Sequence, residues 1–138
     1  MAYFLTADGG TESLRARIYD LAGTCLGTCA VPYKTDFKPG RVEQNPEEWW
    51  ANFVTAAQGA IHEASIDPAR IEAMCYATTC CTVVALDETG RALRPAIMWM
   101  DVRAHEEAEA VLATEDAALK LNGAGQGPVS SEWMIPKA

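Results

Sequence analysis

The stretch Asp8-Gly9-Gly10-Thr11-Glu12-Ser13-Leu14-Arg15 is the most informative part of this 138-residue chain. It follows the short apolar run at 3–7 and precedes an alternating segment at 16–20. The glycines let backbone N–H groups approach the oxygens of a ligand without an intervening Cβ. The hydroxyl of Thr11 adds a donor, and the carboxylate of Asp8 can hold a hydrated Mg²⁺. The stretch therefore indicates either a loop that binds phosphate and a metal or a β-hairpin turn, the commoner use of Asp and Gly.

Composition narrows the class of protein. The net charge is −8 and the isoelectric point is near 4.7, which argues against binding to nucleic acid or to an anionic membrane surface. No stretch approaches the ~20 apolar residues of a membrane span, and no charged region precedes the first apolar run as in a signal peptide. The five cysteines include no Cys-x-x-Cys pair and favour reduced thiols in the cytoplasm. We therefore expect one cytoplasmic domain.

Hydrophobic periodicity predicts six strands in two groups of three. They fall at residues 2–7, 14–21, 24–33, 71–77, 82–87 and 92–99. The segment 71–77 is mostly apolar and is predicted to be a buried strand. Residues 32–45 contain a Pro-Gly pair and no periodicity, so a loop is predicted there.

A helix start follows that loop. Asn45 stands as the N-cap, Pro46 as the first helical residue, and two glutamates in the first turn. The helix is expected to bury one apolar stripe, with the two tryptophans as packing anchors. The stripe comprises Trp49, Trp50, Phe53, Val54, Ala57 and Ile61. Further helices are expected at 102–113, at 115–121 and from residue 130, with a glycine-rich segment at 122–128. The order β-β-β-α-β-β-β-α predicts a mixed α/β architecture.

Two more segments stand in order after the first, Val-Glu-Gln-Asn-Pro-Glu-Glu-Trp-Trp at 42–50 and Arg-Pro-Ala-Ile-Met-Trp-Met-Asp-Val-Arg at 94–103. Together the three resemble the N-terminal part of the FGGY family of carbohydrate kinases, such as xylulose and ribulose kinases. The family patterns are similar to Asp-x-Gly-Thr-(Ser/Thr), to Glu-Gln-(Asp/Asn)-Pro-x-x-Trp-Trp and to Trp-x-Asp-x-Arg. The resemblance covers nearly the whole chain.

This resemblance implies an α/β fold of the ribonuclease H-like, actin-like ATPase type, of which the chain holds a truncated N-terminal domain. Members of the family have two such domains, with ATP and a sugar in the cleft between them. The implied reaction is transfer of the γ-phosphoryl group of ATP to a hydroxyl of a sugar or polyol, with ATP and Mg²⁺ as cofactors. Catalysis then consists mostly of positioning, charge neutralisation and proton removal.

Roles for the first segment follow from the same resemblance. Asp8 matches the aspartate near the metal and the phosphates, and Gly10 and Thr11 match the turn that faces the phosphates. Arg15 matches a basic residue further along, and a solvated strand residue is nearly as good an interpretation. Glu12 stands where the family has Ser or Thr, and its carboxylate would repel phosphate unless it points away.

The resemblance also implies substrate contacts. Thr79, Cys80 and Cys81 fall where relatives place side chains that contact the sugar, so these three are candidates. The alternative for the cysteines is simple packing, because free Cys is among the most buried residue types. Asp101 lies on the sugar side of the cleft in the family together with Trp99, and it is equally placed to cap the helix at 102–113.

The family's general base is an aspartate in a Gly-Asp motif beyond the third segment, and the adenosine-binding domain also lies downstream. We therefore expect the chain to be a fragment that is inactive alone and folds poorly, with an exposed apolar sheet edge. A small-molecule sugar or polyol is the expected partner, and the full-length protein is a possible homodimer.

Two other classes remain open from the sequence. A metal-dependent nuclease would share the ribonuclease H-like core, but it needs several carboxylates that converge on one site, and the segment at 71–79 ends in none. The other class is a non-catalytic actin-like nucleotide-binding module, or an inert remnant of a kinase.

Overall fold

The computed structural model of the protein describes residues 2–121 and 129–138. The predicted glycine-rich segment 122–128 lies outside the described residues. Contacts divide the chain into two compact units. The first unit comprises Met1–Thr35 and Asn45–Thr79, and the second comprises Asp36–Gln44 and Cys80–Ala138.

The described residues form seven strands, three α-helices and two short 3₁₀ turns, and these turns lie at Pro68–Arg70 and Ala117–Leu121. The strands are β1 (Tyr3–Gly9), β2 (Ser13–Asp20), β3 (Cys25–Pro32), β4 (Thr35–Lys38), β5 (Arg41–Gln44), β6 (Ile71–Thr78) and β7 (Ala96–Ile97). The helices are α1 (Pro46–Ala64), α2 (His105–Ala113) and α3 (Met134–Lys137). In this described part of the chain, no helix combines the length and the apolar content needed to cross a membrane.

The first unit is built on a four-stranded sheet in the order β3-β2-β1-β6. The first three strands form an antiparallel meander, and β6 runs parallel to β1 after the crossover through α1. Alternate residues of β2, Leu14, Ala16 and Ile18, are completely buried under the helix, because side chains two apart on a strand share a face. The predicted mixed α/β sheet is confirmed.

Helix α1 begins as predicted. The side chain of Asn45 accepts a hydrogen bond from the N–H of Glu47 at 3.1 Å, and Pro46 is the first helical residue. The predicted apolar stripe is confirmed in part: Ala57 is buried, and Phe53 and Ile61 pack against the core. Trp50 is 71% exposed and is not the packing anchor that was predicted, and the buried residues of the helix are three alanines. The buried alanines are Ala56, Ala57 and Ala60.

The close approach of β3 explains the alanine face. A Cβ on Gly27 would collide with the carbonyl oxygen of Ala60 and with the backbone N of Ala64. On the helix, a Cβ on Gly59 would collide with the side chain of Cys29. At this separation of backbones, bulky side chains have no room on the buried face, so the aromatic residues lie at its margin.

Strand β6 departs from its prediction as a buried strand. It is the edge strand of the sheet within the described residues, and from Glu72 to Thr78 its residues are exposed. Met74 is 57% exposed, and Tyr76 is also solvent-accessible. The first unit therefore exposes apolar side chains along its edge strand β6. An exposed apolar edge was expected from the sequence.

The second unit contains short strands where the sequence predicted a loop. The predicted loop at 32–45 is wrong, since β4 and β5 occupy most of it and β5 pairs with β7 in an antiparallel ladder. The predicted strands at 82–87 and 92–99 reduce to β7 and two isolated bridges. Proline 95 has no N–H to donate to a ladder, and the carboxylate of Asp87 draws residues 87–91 into a turn by accepting hydrogen bonds from Thr89 and Arg91.

Candidate functional site

The segment at 8–15 comprises the end of β1, the tight turn at residues 10–12 and the start of β2. The N–H of Gly10 donates to the carbonyl oxygen of Ser13 at 3.1 Å and closes the turn. Asp8 and Arg15 face each other directly in the antiparallel register, so their side chains lie on the same face of the sheet. The carboxylate of Asp8 is exposed and Arg15 is half-buried. Thr11 lies within the turn, and the side chain of Glu12 is exposed to solvent.

The end of β6 lies beside this turn. In the parallel register Gly9 is paired with Thr78, and the N–H of Thr79 donates to the carbonyl oxygen of Gly9 at 3.2 Å. The carboxyl ends of β1 and β6 therefore meet at one edge of the sheet, where ligands bind in many α/β proteins. The first unit thus brings Asp8, Gly10, Thr11, Arg15 and Thr79 to the same sheet edge.

Two tyrosines that sequence reasoning missed surround this edge. The hydroxyl of Tyr76 lies 3.2 Å and that of Tyr33 lies 3.4 Å from where a Cβ on Gly9 would stand. Burial raises the pKa of Tyr33 to about 12, with further contributions from Tyr76 and from the charge of Asp8. Tyr76 is 44% exposed, and the partial loss of its hydration, together with the same carboxylate, also raises its pKa. Both hydroxyls therefore stay protonated at neutral pH and can donate hydrogen bonds next to Asp8.

The fit to Mg²⁺ rests on Asp8. Among residues 2–121 and 129–138, no three His, Cys, Asp or Glu side chains converge to hold a metal ion. Mg²⁺ commonly keeps several waters and binds through one or two carboxylates together with the phosphates of a substrate. A single exposed carboxylate beside a glycine turn suits an ion of that kind.

The other candidate contacts, Cys80, Cys81 and Asp101, belong to the second unit. The S–H of Cys81 donates to the sulfur of Cys80 across 3.7 Å, and Cys81 has a positive φ of 61°. Cys80 is exposed and Cys81 is partly buried. The packing alternative therefore applies to Cys81 at most.

A lysine that the sequence did not single out organises this region. Lys137 is 9% exposed, and its ammonium lies within hydrogen-bond distance of four backbone carbonyl oxygens, which share its three N–H donors. They belong to Cys81 at 3.2 Å, Met98 at 2.9 Å, Trp99 at 2.7 Å and Glu132 at 2.6 Å. Burial lowers the pKa of Lys137, and the negative charges of its neighbours oppose that effect. The side chain connects three segments that are distant in sequence. No signal in the sequence marks Lys137 for this position, because the contacts form only in the folded chain.

Asp101 lies at the centre of a second polar network. It is 1% exposed, and its carboxylate accepts hydrogen bonds from the N–H of Val42 at 2.9 Å and from Arg103 at 3.0 Å. Burial alone would raise the pKa of Asp101, but these hydrogen bonds outweigh it and the pKa lies below its usual value. The prediction that Asp101 caps a helix is wrong, since α2 begins at His105 after Ala104.

Glu43 joins the same network. Its carboxylate is buried and pairs with Arg94 at 2.6 Å, Arg103 at 2.7 Å and Arg41 at 3.2 Å. Burial opposes ionisation of Glu43, but hydrogen bonds from Arg103 and Arg94 prevail and lower its pKa. Glu43 of the second sequence segment therefore belongs to the same hydrogen-bonded network as Asp101 and Arg103 of the third.

The mixed sheet, the crossover helix and the glycine turn at the sheet edge define an α/β protein of the actin-like ATPase fold, as matching sugar kinase structures show. The profile of the FGGY family of carbohydrate kinases, N-terminal domain, matches residues 3–131. The chain belongs to the FGGY family of carbohydrate kinases.

Individual relatives agree. The chain is 32% identical to glycerol kinase 5 of Danio rerio over 106 residues, which cover 75% of this chain and 20% of the relative. It is 30% identical to a D-ribulokinase of Saccharomyces cerevisiae over 146 residues, which cover 98% of this chain and 20% of the relative. The crystal structure of a xylulose kinase from Brucella ovis matches with a TM-score of 0.87 at 25% identity, covering 98% of this chain and 28% of that one. The chain therefore spans about a fifth of the length of these curated relatives.

Proposed function

We propose that this chain is the N-terminal part of an ATP-dependent phosphotransferase that acts on a hydroxyl of a sugar or polyol. The observation that carries the proposal is the meeting of the turn at 8–15 with the end of β6 at one sheet edge. The relatives act, by their names, on glycerol and on D-ribulose. A small polyhydroxylated substrate accordingly suits the proposal, and we place the whole protein in the cytoplasm, as a possible homodimer.

In this proposal the first unit binds the phosphates of ATP and Mg²⁺. Asp8 would hold the hydrated ion, whose charge neutralises the phosphates when it is bound. The backbone of Gly10 and the hydroxyl of Thr11 would donate to phosphate oxygens, and Arg15, opposite Asp8 on the same face, adds a positive charge. The exposed side chain of Glu12 is free to point into solvent, which lessens its repulsion of phosphate.

Substrate contact is assigned to Thr79, Cys80 and Cys81. Thr79 is fixed at the sheet edge by its hydrogen bond to Gly9. A thiol is a weak hydrogen-bond donor, so shape would contribute more than polarity to selection at the cysteines. Asp101 also stays a candidate, but its carboxylate already has partners in Val42 and Arg103, and this favours an indirect contribution through the position of Arg103.

The general base and the adenosine-binding domain are proposed to lie in other parts of a longer protein. The match to about a fifth of each relative supports this view, as does the exposed apolar edge at β6, which a larger domain would cover. The 138 residues alone are then expected to transfer no phosphoryl group.

The test is a substrate panel with ATP and Mg²⁺ for two proteins: the longer protein that carries this chain, and the 138 residues alone. The longer protein is expected to phosphorylate at least one ketopentose or polyol, and the 138 residues none. Turnover by the short chain would overturn the assignment of the base to another part of the protein. Binding of ATP by the longer protein without turnover of any sugar or polyol would favour the non-catalytic nucleotide-binding module, and no binding at all would favour the inert remnant.

A further inference from the structure

We propose that Cys80 and Cys81 form a redox-modified dithiol, which a hydroperoxide oxidises to a disulfide between the two adjacent residues and which thiols reduce again. The argument for this modification rests only on the geometry of the two cysteines. Its consequence, reversible loss of sugar binding, rests on the proposed function, because these residues are the assigned substrate contacts.

The two sulfurs are already in contact. The Sγ atoms lie 3.7 Å apart, with Cys81 as donor and Cys80 as acceptor. On a regular strand the side chains of neighbouring residues point to opposite faces, so such a contact cannot form there. Strand β6 ends at Thr78, and the pair stands beyond it in an irregular segment. The local backbone therefore brings two thiols together that strand geometry would separate.

That backbone conformation is held in place. Cys81 has a φ of 61°, in the left-handed region that residues other than glycine rarely adopt. Its carbonyl oxygen accepts a hydrogen bond from the buried ammonium of Lys137 at 3.2 Å. The same ammonium binds the carbonyl oxygens of Met98 and Trp99, so the dithiol is attached to the segment before Asp101. A strained conformation that several contacts fix is typical of a functional position.

The environment assigns different parts to the two sulfurs. Cys80 is exposed and accepts the S–H of Cys81, so its sulfur is the one that an oxidant in solution can reach. The hydrogen bond with Cys80 and burial raise the pKa of Cys81, so Cys81 keeps its proton more readily. An approaching oxidant therefore meets Cys80 first, and Cys81 is the resolving thiol next to it.

The reaction balances in two steps. The Cys80 sulfur gives its proton to solvent and attacks one oxygen of hydrogen peroxide, so that an S–O bond forms, the O–O bond breaks, and the departing hydroxide takes a proton back from solvent to become water. The Cys81 sulfur then attacks the sulfenic sulfur, so that the S–S bond forms, the S–O bond breaks, and the departing hydroxide leaves as water with the thiol proton. Two thiols lose two electrons in total, and one hydrogen peroxide is reduced to two waters.

The product is expected to be easily reduced. Adjacent Cα atoms are about 3.8 Å apart, whereas most disulfides join Cα atoms about 4.4–6.8 Å apart. A disulfide between neighbours is therefore strained, and strained, exposed disulfides are the labile ones. Oxidation removes both S–H groups and closes a small ring beside Thr79, so the sugar contacts change while the bond persists.

The experiment treats the protein that carries this chain with hydrogen peroxide under native conditions, blocks the remaining thiols and measures tryptic peptide masses. Cleavage after Arg70 and Arg91 places Cys75, Cys80 and Cys81 in one peptide, so Cys75→Ser is the control that leaves only the pair. In wild type and in Cys75→Ser, the peptide is expected to lose two hydrogen atoms, and dithiothreitol is expected to restore them. Cys80→Ser and Cys81→Ser are expected to abolish that loss.

A loss that disappears in Cys75→Ser, oxygen addition to separate cysteines without the loss, or no modification at all would overturn the dithiol. Because the readout is a mass, it is independent of phosphoryl transfer. Loss of two hydrogens in a protein that phosphorylates nothing would support the dithiol and count against the proposed function. Loss of two hydrogens with unchanged sugar binding, measured on the same sample, would overturn the regulatory consequence alone.

Discussion

At the scale of single residues, buried charge and buried hydroxyl groups decide which interactions matter. Lys137 has exchanged water for four carbonyl oxygens, and Asp101 has exchanged it for an N–H group and a guanidinium. Burial of a charge is costly unless hydrogen bonds replace those to water, and both groups meet that condition. Both hold the segment at 98–103, which precedes α2. Their partners are distant in sequence, so the residue pattern did not reveal them.

Lys137→Met is expected to lower the free energy of unfolding by about 2–3 kcal/mol, because hydrogen bonds from a charged group are lost and carbonyl oxygens stay buried without partners. Urea unfolding of the protein measures the loss. Lys38→Met is the matched control in the same unit, since Lys38 is exposed and its ion pair with Asp36 is loose at 3.6 Å. An equal effect of the two substitutions would contradict a structural role for Lys137.

The raised pKa of Tyr33 predicts that the free energy of unfolding depends on pH in the alkaline range. Its pKa is raised to about 12 in the folded protein, above its usual value. Between these two values the unfolded chain gives up the phenol proton while the folded protein keeps it, so stability falls as the pH rises through that window. Tyr33→Phe is expected to make the fall between about pH 10 and 12 shallower. Thermal unfolding across that range measures it, and an unchanged slope would show that Tyr33 does not titrate as described.

At the scale of elements, local signals were predictable and packing faces were not. The Asn45-Pro46 start of α1 and the three consecutive strands β1 to β3 follow from neighbouring residues, and both are confirmed. The buried face of α1 depends on how closely β3 approaches, which no periodicity in the helix itself records. For the same reason the predicted apolar stripe was correct at Ala57, Phe53 and Ile61 but not at Trp50. The four-residue strands β4 and β5 were too short for an alternating pattern to show.

The contact between β3 and α1 can be tested at Gly27. Gly27→Ala is expected to cost about 1–3 kcal/mol or more of unfolding free energy, because the new Cβ would meet backbone atoms that cannot move aside. Gly10→Ala is the control, since the nearest atom to its Cβ would be 3.5 Å away, an ordinary contact. Urea unfolding of the two variants measures the difference in their free energies of unfolding. Equal stability of both would mean that β3 and α1 do not approach as described.

At the scale of the molecule, the sequence predicted the family and the class of fold, because three motifs in order are rare by chance. It also placed the turn at 8–15 at a strand end, which the structure confirms. The tyrosines around Gly9 and the four-carbonyl site of Lys137 escaped prediction, since tertiary contacts alone create them. The roles of Asp8, Gly10, Thr11 and Arg15 in binding stay predictions, and so do the substrate contacts.

The central claim is that the sheet edge around Asp8 binds Mg²⁺ and the phosphates of ATP. The most direct measurement compares Asp8→Asn with Asp20→Asn in the longer protein that carries this chain, by phosphoryl transfer at varied Mg²⁺. Asp20 is the matched control, since it lies at the other end of the β1–β2 pair, opposite Tyr3. We expect Asp8→Asn to lower kcat at least about 100-fold and to raise the Mg²⁺ requirement, with Asp20→Asn near wild type. Full activity and an unchanged Mg²⁺ requirement in Asp8→Asn would contradict the account.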